Sequence, residues 1–178
     1  MNKMVLGIDI DGVVADTYTE WLRIYHQISD NRYDISEVYS KRAAEDKLLL
    51  SLLTRSDLYD NVLPIKGAVN AVKKLQTMPE LRVIFITSCV LGMADSKWRW
   101  LQKYELLPQG FLQSDSLILV HDKSLVNVDA HIDDSIPQLE RMNVKHKILF
   151  DAPWNKNSTV GTRVKGWAAA IRHVKEIL

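Results

Sequence analysis

Met4-Val5-Leu6-Gly7-Ile8-Asp9-Ile10-Asp11-Gly12-Val13-Val14-Ala15-Asp16 opens on an apolar run, Met4–Ile8, that leads into two carboxylates one residue apart, Asp9 and Asp11. The run is too short for a helix and reads as a buried strand over Met4–Ile10. A buried strand ending in two acids is costly unless something cationic sits at its tip. Like charges that close raise each other's pKa or are held ionised by a metal. Strand alternation sends Asp9 and Asp11 towards the same side. Gly12 then permits a sharp turn and a close backbone approach to a ligand. Read alone, Asp-x-Asp-Gly also fits an acidic turn closing a strand. The rest of the chain decides between the two.

Four more short apolar segments follow: Arg82–Thr87, Ser116–Val120, Ala130–Ile132 and Lys147–Phe150. Helical patterns separate them, over Gly67–Met78, Asp95–Tyr104, Ile136–Met142 and Lys165–Leu178. In the first of these, Ala68, Val69, Ala71, Val72 and Leu75 recur at helical spacing, with Pro64 and Gly67 before them and Pro79 after. Alternating strands and helices predict an α/β, Rossmann-like parallel sheet of about five strands with helices on both faces. Functional groups then gather at the carboxyl ends of the strands. One segment breaks the alternation. From Thr17 to Leu63 the chain has helical patterns, Tyr18–Ile28 and Ala43–Leu53 among them, and no convincing strand. We expect a small helical cap over 17–63, inserted after the first strand of a core made of 1–16 and 64–178.

The first four predicted strands each end in polar chemistry. Asp9 and Asp11 follow the first, Thr87-Ser88 the second, Lys123 the third and Asp133-Asp134 the fourth. Taken singly, Thr87-Ser88 fits a helix cap, Lys123 a surface lysine and Asp133-Asp134 a helix N-terminus. At successive strand ends of one parallel sheet they must converge. Together they suit phosphoryl transfer. Mg²⁺ takes a few carboxylates plus water and phosphate oxygens, and Asp9 with one of Asp133-Asp134 could supply the carboxylates. A hydroxyl from Thr87 or Ser88 and the ammonium of Lys123 would satisfy a phosphate's free oxygens. One carboxylate can attack phosphorus, and a second can protonate the leaving alkoxide and later deprotonate water. Asp9 and Asp11 are placed for that division of labour.

The order Asp-x-Asp-Gly, Thr-Ser, Lys, Asp-Asp resembles the haloacid-dehalogenase-like phosphohydrolases along essentially the whole chain. The resemblance implies Asp9 as nucleophile, Asp11 as general acid/base, Thr87 as phosphate binder and Lys123 as charge anchor. It also implies a Mg²⁺ site from the Asp9 carboxylate, the Asp11 main-chain carbonyl and Asp133, supported by Asp134. A narrower likeness is to the 5′(3′)-deoxyribonucleotidases. It is carried by Asp9–Asp16, by Pro64-Ile65-Lys66-Gly67-Ala68-Val69-Asn70-Ala71-Val72 and by Lys97-Trp98-Arg99-Trp100-Leu101-Gln102-Lys103-Tyr104. Val120-His121-Asp122-Lys123-Ser124-Leu125-Val126 with His131-Ile132-Asp133-Asp134, and Leu149-Phe150-Asp151-Ala152-Pro153-Trp154-Asn155, complete it. One departure stands out: Thr17 occupies the place of an aromatic residue that contacts the base in that family.

The expected activity is thus Mg²⁺-dependent removal of phosphate from (deoxy)nucleoside monophosphates through an aspartyl-phosphate. Thr17, Tyr18, Trp21 and Tyr59 are candidates for the substrate pocket, each also suited to packing inside the cap. Two other readings stay open: a phosphatase of another small phosphoester, and a receiver-like phosphoacceptor module. Receivers carry their acceptor on a middle strand and have no comparable insertion after the first.

The remaining residues bound the problem. With 178 residues, 47% hydrophobic content and 25% charge the chain is an ordinary globular domain, and a net charge of +1 selects neither a nucleic-acid polymer nor a membrane. Cys89 is the sole cysteine, which excludes an intrachain disulfide and suits a cytoplasmic setting. Its expected role is a small filler at a strand end. No apolar run approaches the ~18 residues of a membrane span. The histidines at 26, 121, 131, 146 and 173 lack metal-ligand spacing and read as structural or surface, His121 lying nearest the site. One of Trp98 and Trp100 is expected in the core, and Trp154 at a pocket or its rim. Oligomeric state is left open, a homodimer among the options.

Overall fold

The computed structural model describes residues 3–89, 92–107 and 116–178. Six parallel strands form one sheet in the order β3-β2-β1-β4-β5-β6. They are β1 (Met4–Ile8), β2 (Leu81–Thr87), β3 (Leu117–Leu119), β4 (Ala130–Asp133), β5 (His146–Phe150) and β6 (Thr162–Val164). The sixth strand is one more than the sequence pattern predicts. Its three residues read Thr-Arg-Val and are partly exposed at the sheet edge, so they leave no apolar run to recognise.

Alternation along the strands divides the core. Leu6, Ile8, Val83 and Phe85 face a large cluster that includes Ala71, Val72 and Leu75 of helix α4 (Ala68–Gln76) and Ala170 and Val174 of α7 (Trp167–Ile177). Ile84 and Ile86 point the other way, towards Met142 at the end of α6 (Ile136–Arg141), with Val5 and Ile118 beside them. Both faces are therefore covered, as an all-parallel sheet requires.

Between β1 and α4 every regular element is helical. The segment comprises α1 (Thr17–Ile28), α2 (Lys41–Glu45), α3 (Lys47–Ser51) and short 3-10 turns at Ile35–Glu37, Leu52–Thr54 and Leu58–Asp60. The single helix expected over Ala43–Leu53 is broken at Asp46. That residue closes α2 and caps α3, its carboxylate accepting from the Leu49 N–H at 3.0 Å. Helix α5 (Ala94–Lys103) follows β2. Trp100 is its core tryptophan, donating its indole N–H to the Val62 carbonyl at 2.9 Å.

Strand order places β1 between β2 and β4, where the direction of winding reverses and where open α/β sheets hold their ligands. Register pairs Ile8 with Phe85 on one side and with Ile132 on the other. Asp9, Thr87 and Asp133 therefore emerge at nearly one level.

Candidate active site

Beyond Ile8 the backbone leaves strand geometry. The N–H groups of Val13, Val14 and Ala15 all return to the Ile10 carbonyl, and Gly12 sits at φ 71°. A Cβ at Gly12 would stand 2.5 Å from Asp134 Oδ2 and 2.8 Å from Tyr18, so the glycine also makes room for the second acid pair. Strand alternation consequently does not govern Asp9 and Asp11, which settle in different surroundings.

Asp9 enters an acid cluster built around Lys123. The Lys123 ammonium is buried, 2.8 Å from Asp9 Oδ1 and 2.6 Å from Asp133 Oδ2. Asp133 is further tied down: His131 Nε2 lies 3.0 Å from Oδ2, and Oδ1 accepts from the Ser135 N–H at 2.8 Å. Asp134 is different. Its Oδ2 accepts from the Trp154 indole N–H at 2.9 Å, while its Oδ1 is buried without any hydrogen-bond partner. Asp9, Asp133 and Asp134 each offer an oxygen within 4.8 Å of the others'.

Three buried carboxylates thus face one ammonium. Burial pushes the Asp9 carboxyl up to about 7, against the pull of Lys123. Burial, and then the charges of Asp133 and Asp9, drive Asp134 well above the ordinary range. Asp133 runs the other way: burial opposes its ionisation, but Lys123 and His131 outweigh it and hold its pKa low. Lys123 is correspondingly held as an ammonium by Asp133 and Asp9 despite its burial. An all-oxygen donor set, a surplus of buried negative charge and an orphaned carboxylate oxygen fit a hard divalent cation.

Asp11 turns towards the helical insertion. Lys97 of α5 donates to its Oδ2 at 2.5 Å, and the hydroxyls of Thr17 (2.6 Å) and Tyr59 donate to its Oδ1. Burial opposes ionisation here too, but these three donors, Lys97 foremost, lower the pKa. Lys97 also donates to Thr87 Oγ1 at 2.8 Å and to the Ser88 carbonyl at 2.6 Å, joining Asp11 to the end of β2. The Ser88 hydroxyl is 3.4 Å from the His121 carbonyl.

A cavity of about 380 Å³ opens above Asp11, walled mainly by apolar groups. Tyr18, Trp21, Val38, Tyr39, Leu50 and Leu53 come from the insertion; Ser88, Cys89, Met93, Lys97 and His121 come from the strand-end loops and α5. Of the four residues expected at the substrate pocket, Thr17, Tyr18 and Trp21 line this cavity. Tyr59 does not line it; the residue is buried, with its hydroxyl on Asp11. Thr17 spends its hydroxyl on the same carboxylate. Cys89 is more than a filler, since it forms part of the cavity wall.

The sequence reading missed Lys97 and His131 as participants. Helical spacing holds a signal for Lys97, which falls on the face of α5 shared by Met93, Trp100 and Leu101. A lysine on a buried face needs an anionic partner. His131 had no comparable mark, being one polar residue inside a buried strand.

Residues 3–176 match the family described as 5′ nucleotidase, deoxy (pyrimidine), cytosolic type C (NT5C). The chain belongs to this family. Among relatives, a 5′(3′)-deoxyribonucleotidase of Bacillus subtilis is 29% identical over 168 residues, covering 93% of this chain and 95% of that protein. The 5′(3′)-deoxyribonucleotidase of Clostridium acetobutylicum is 28% identical, with 96% and 94% covered. The human mitochondrial 5′(3′)-deoxyribonucleotidase is 27% identical, with 90% and 77% covered. Solved structures share the fold. A hydrolase from Pseudomonas syringae superposes with TM-score 0.62 at 13% identity, covering 98% of this chain and 99% of that one. A haloacid-dehalogenase-superfamily hydrolase from Geobacter sulfurreducens gives TM-score 0.60 at 15% identity, with 99% and 100% covered. Family and fold together make this chain a nucleotide phosphatase, a phosphoric monoester hydrolase.

Proposed function

We propose that the protein removes phosphate from deoxyribonucleoside monophosphates by way of an aspartyl-phosphate on Asp9. The observation that carries this reading is the separation of two aspartates one residue apart. Asp9 shares the acid cluster with Lys123, whereas Asp11 is clamped by Lys97 at the floor of an apolar cavity. In the first half-reaction an Asp9 oxygen bonds to phosphorus, the ester P–O bond breaks, and the leaving alkoxide takes a proton from Asp11. An arriving phosphate adds negative charge beside Asp11 and so favours its protonated form. In the second half, water attacks the acyl phosphate, Asp11 takes the water's proton, and inorganic phosphate leaves Asp9 restored. Thr87, Ser88 and Lys123 are the donors assigned to the phosphate oxygens.

Mg²⁺ is the proposed metal, held by Asp9, Asp134 and the main-chain carbonyl of Asp11. Bound there, it would neutralise carboxylate and phosphate charge. Asp134 rather than Asp133 is assigned as the acidic ligand, because Asp133 already satisfies Lys123, His131 and the Ser135 N–H. The insertion, taken as a cap over 17–63, shapes the substrate cavity. Its walls are largely apolar, which supports stacking and burial of a nucleobase with modest discrimination between bases. A cytoplasmic setting belongs to the same reading.

A release assay tests it: kcat/KM for several deoxynucleoside monophosphates against simple sugar phosphates. Higher values for the nucleotides are expected. Equal or better rates on sugar phosphates would point to a generic phosphoesterase.

A further inference from the structure

Asp134 is gripped from two sides by the loop after β5. Trp154 donates its indole N–H to the carboxylate Oδ2 at 2.9 Å, and Asn155 donates to the Asp134 main-chain carbonyl at 2.9 Å and to the Phe150 carbonyl at 2.8 Å. Asn155 is itself anchored, since Arg163 of β6 donates to its Oδ1 at 2.9 Å and to its carbonyl at 2.8 Å. The result is a braced path from the sheet edge to one carboxylate.

Trp154 is also where the insertion meets the core. Tyr18 of α1 packs edge-on against the indole with ring centroids 4.7 Å apart, and Tyr39 lies at 5.8 Å. The two tyrosine hydroxyls share a hydrogen bond. Asp134 Oδ1, meanwhile, is fully buried and unpartnered.

We infer that Trp154 is a positioning residue for the metal, its indole N–H fixing the Asp134 carboxylate so that Oδ1 stays directed into the acid cluster. The inference rests on the metal site proposed above and adds the residue that sets its affinity. A carboxylate with one oxygen committed to a fixed donor has lost the rotation that would let it find another partner. Groups of this kind around a metal ligand typically change affinity ~10–100-fold when removed. The aromatic contacts make the same indole sensitive to how Tyr18 and Tyr39 sit.

The test is calorimetric titration of Mg²⁺ into the metal-free full chain as wild type, Asp134→Asn and Trp154→Phe. Melting temperatures measured in chelator report the fold independently of metal. Wild type is expected to bind one Mg²⁺, Asp134→Asn to lose binding, and Trp154→Phe to bind ~10-fold more weakly with its chelator Tm little changed. A wild type that binds no Mg²⁺, or an Asp134→Asn protein that binds as wild type, overturns the metal reading itself. If Asp134→Asn loses binding while Trp154→Phe binds as tightly as wild type, only the role of Trp154 falls. Trp154→His, which keeps a ring N–H, is the second variant should phenylalanine lower the chelator Tm. Retention of more affinity than Trp154→Phe is its expected result, and equal loss in a protein of equal chelator Tm overturns the donor role.

Discussion

Lys97 Nζ lies 2.5 Å from Asp11 Oδ2, joining residues 86 apart in sequence, with the lysine end buried and the carboxylate end partly open to the cavity. The same ammonium holds Thr87 Oγ1 and the Ser88 carbonyl, so a single side chain fixes the Asp11 carboxylate against the end of β2.

Lys97→Met is therefore expected to lower kcat by ~10²-fold or more, the scale of losing a correctly held general acid. Lys97→Arg should rescue little, because a planar guanidinium cannot place its donors where three short contacts now converge. Steady-state phosphate release by the two variants checks this. An arginine variant with near-wild-type kcat would sink the geometric account.

Asp9→Asn should abolish turnover with the fold retained, since the amide is isosteric but not nucleophilic. Asp11→Asn should keep metal binding and lose ~10²–10⁴-fold in rate. Circular dichroism with turnover at saturating Mg²⁺ separates the two. Substantial activity in pure Asp9→Asn protein would remove Asp9 from the nucleophile's role.

Gly12→Ala is expected to lower stability and activity together. The residue adopts φ 71°, and a methyl group would sit 2.5 Å from Asp134 Oδ2, so either the loop or the carboxylate must shift. Such local strain costs ~1–3 kcal/mol. Thermal melts and a Mg²⁺ titration of the variant measure the two effects. An unchanged Tm would show that the loop relaxes freely.

Asp46 supplies a pH-dependent part of the insertion's stability. Hydrogen bonds from Tyr25, the Leu49 N–H and Tyr33 lower its pKa below the ordinary value, the largest effect coming from Tyr25. A depressed folded-state pKa contributes stability in full above the unfolded value of about 3.9 and loses it as pH falls through the folded value. Asp46→Ala is expected to cost ~1 kcal/mol at neutral pH through the lost cap alone. The difference in Tm from wild type should shrink below about pH 4. A difference independent of pH would show that the carboxylate charge contributes nothing.

Much of the architecture was legible because it depends on local pattern. The apolar runs at Met4–Ile8 and Leu81–Thr87 announce buried strands by composition, and Ala68, Ala71, Val72 and Leu75 announce a helix by spacing. β6 was not legible, since a three-residue edge strand with a central arginine has neither length nor apolar content. The break at Asp46 escaped for a related reason. Leucines at 48, 49, 50, 52 and 53 suggest one continuous helix, and only the capping geometry reveals two.

For the candidate site, the sequence by itself determined which polar residues follow the strands: Asp9, Asp11, Thr87, Ser88, Lys123, Asp133 and Asp134 all stand at or just beyond strand ends, and parallel topology brings those ends to one side of the sheet. Tertiary structure alone decided which carboxylate each donor serves. Lys123 went to Asp9 and Asp133, Lys97 to Asp11, and Trp154 to Asp134. Sequence pattern records which side of an element a residue occupies, with a period of two or 3.6 residues. Pairing between side chains on different elements depends on distances of a few tenths of an ångström, set by how the sheet, the insertion and the β5 loop pack against one another. No local period encodes that.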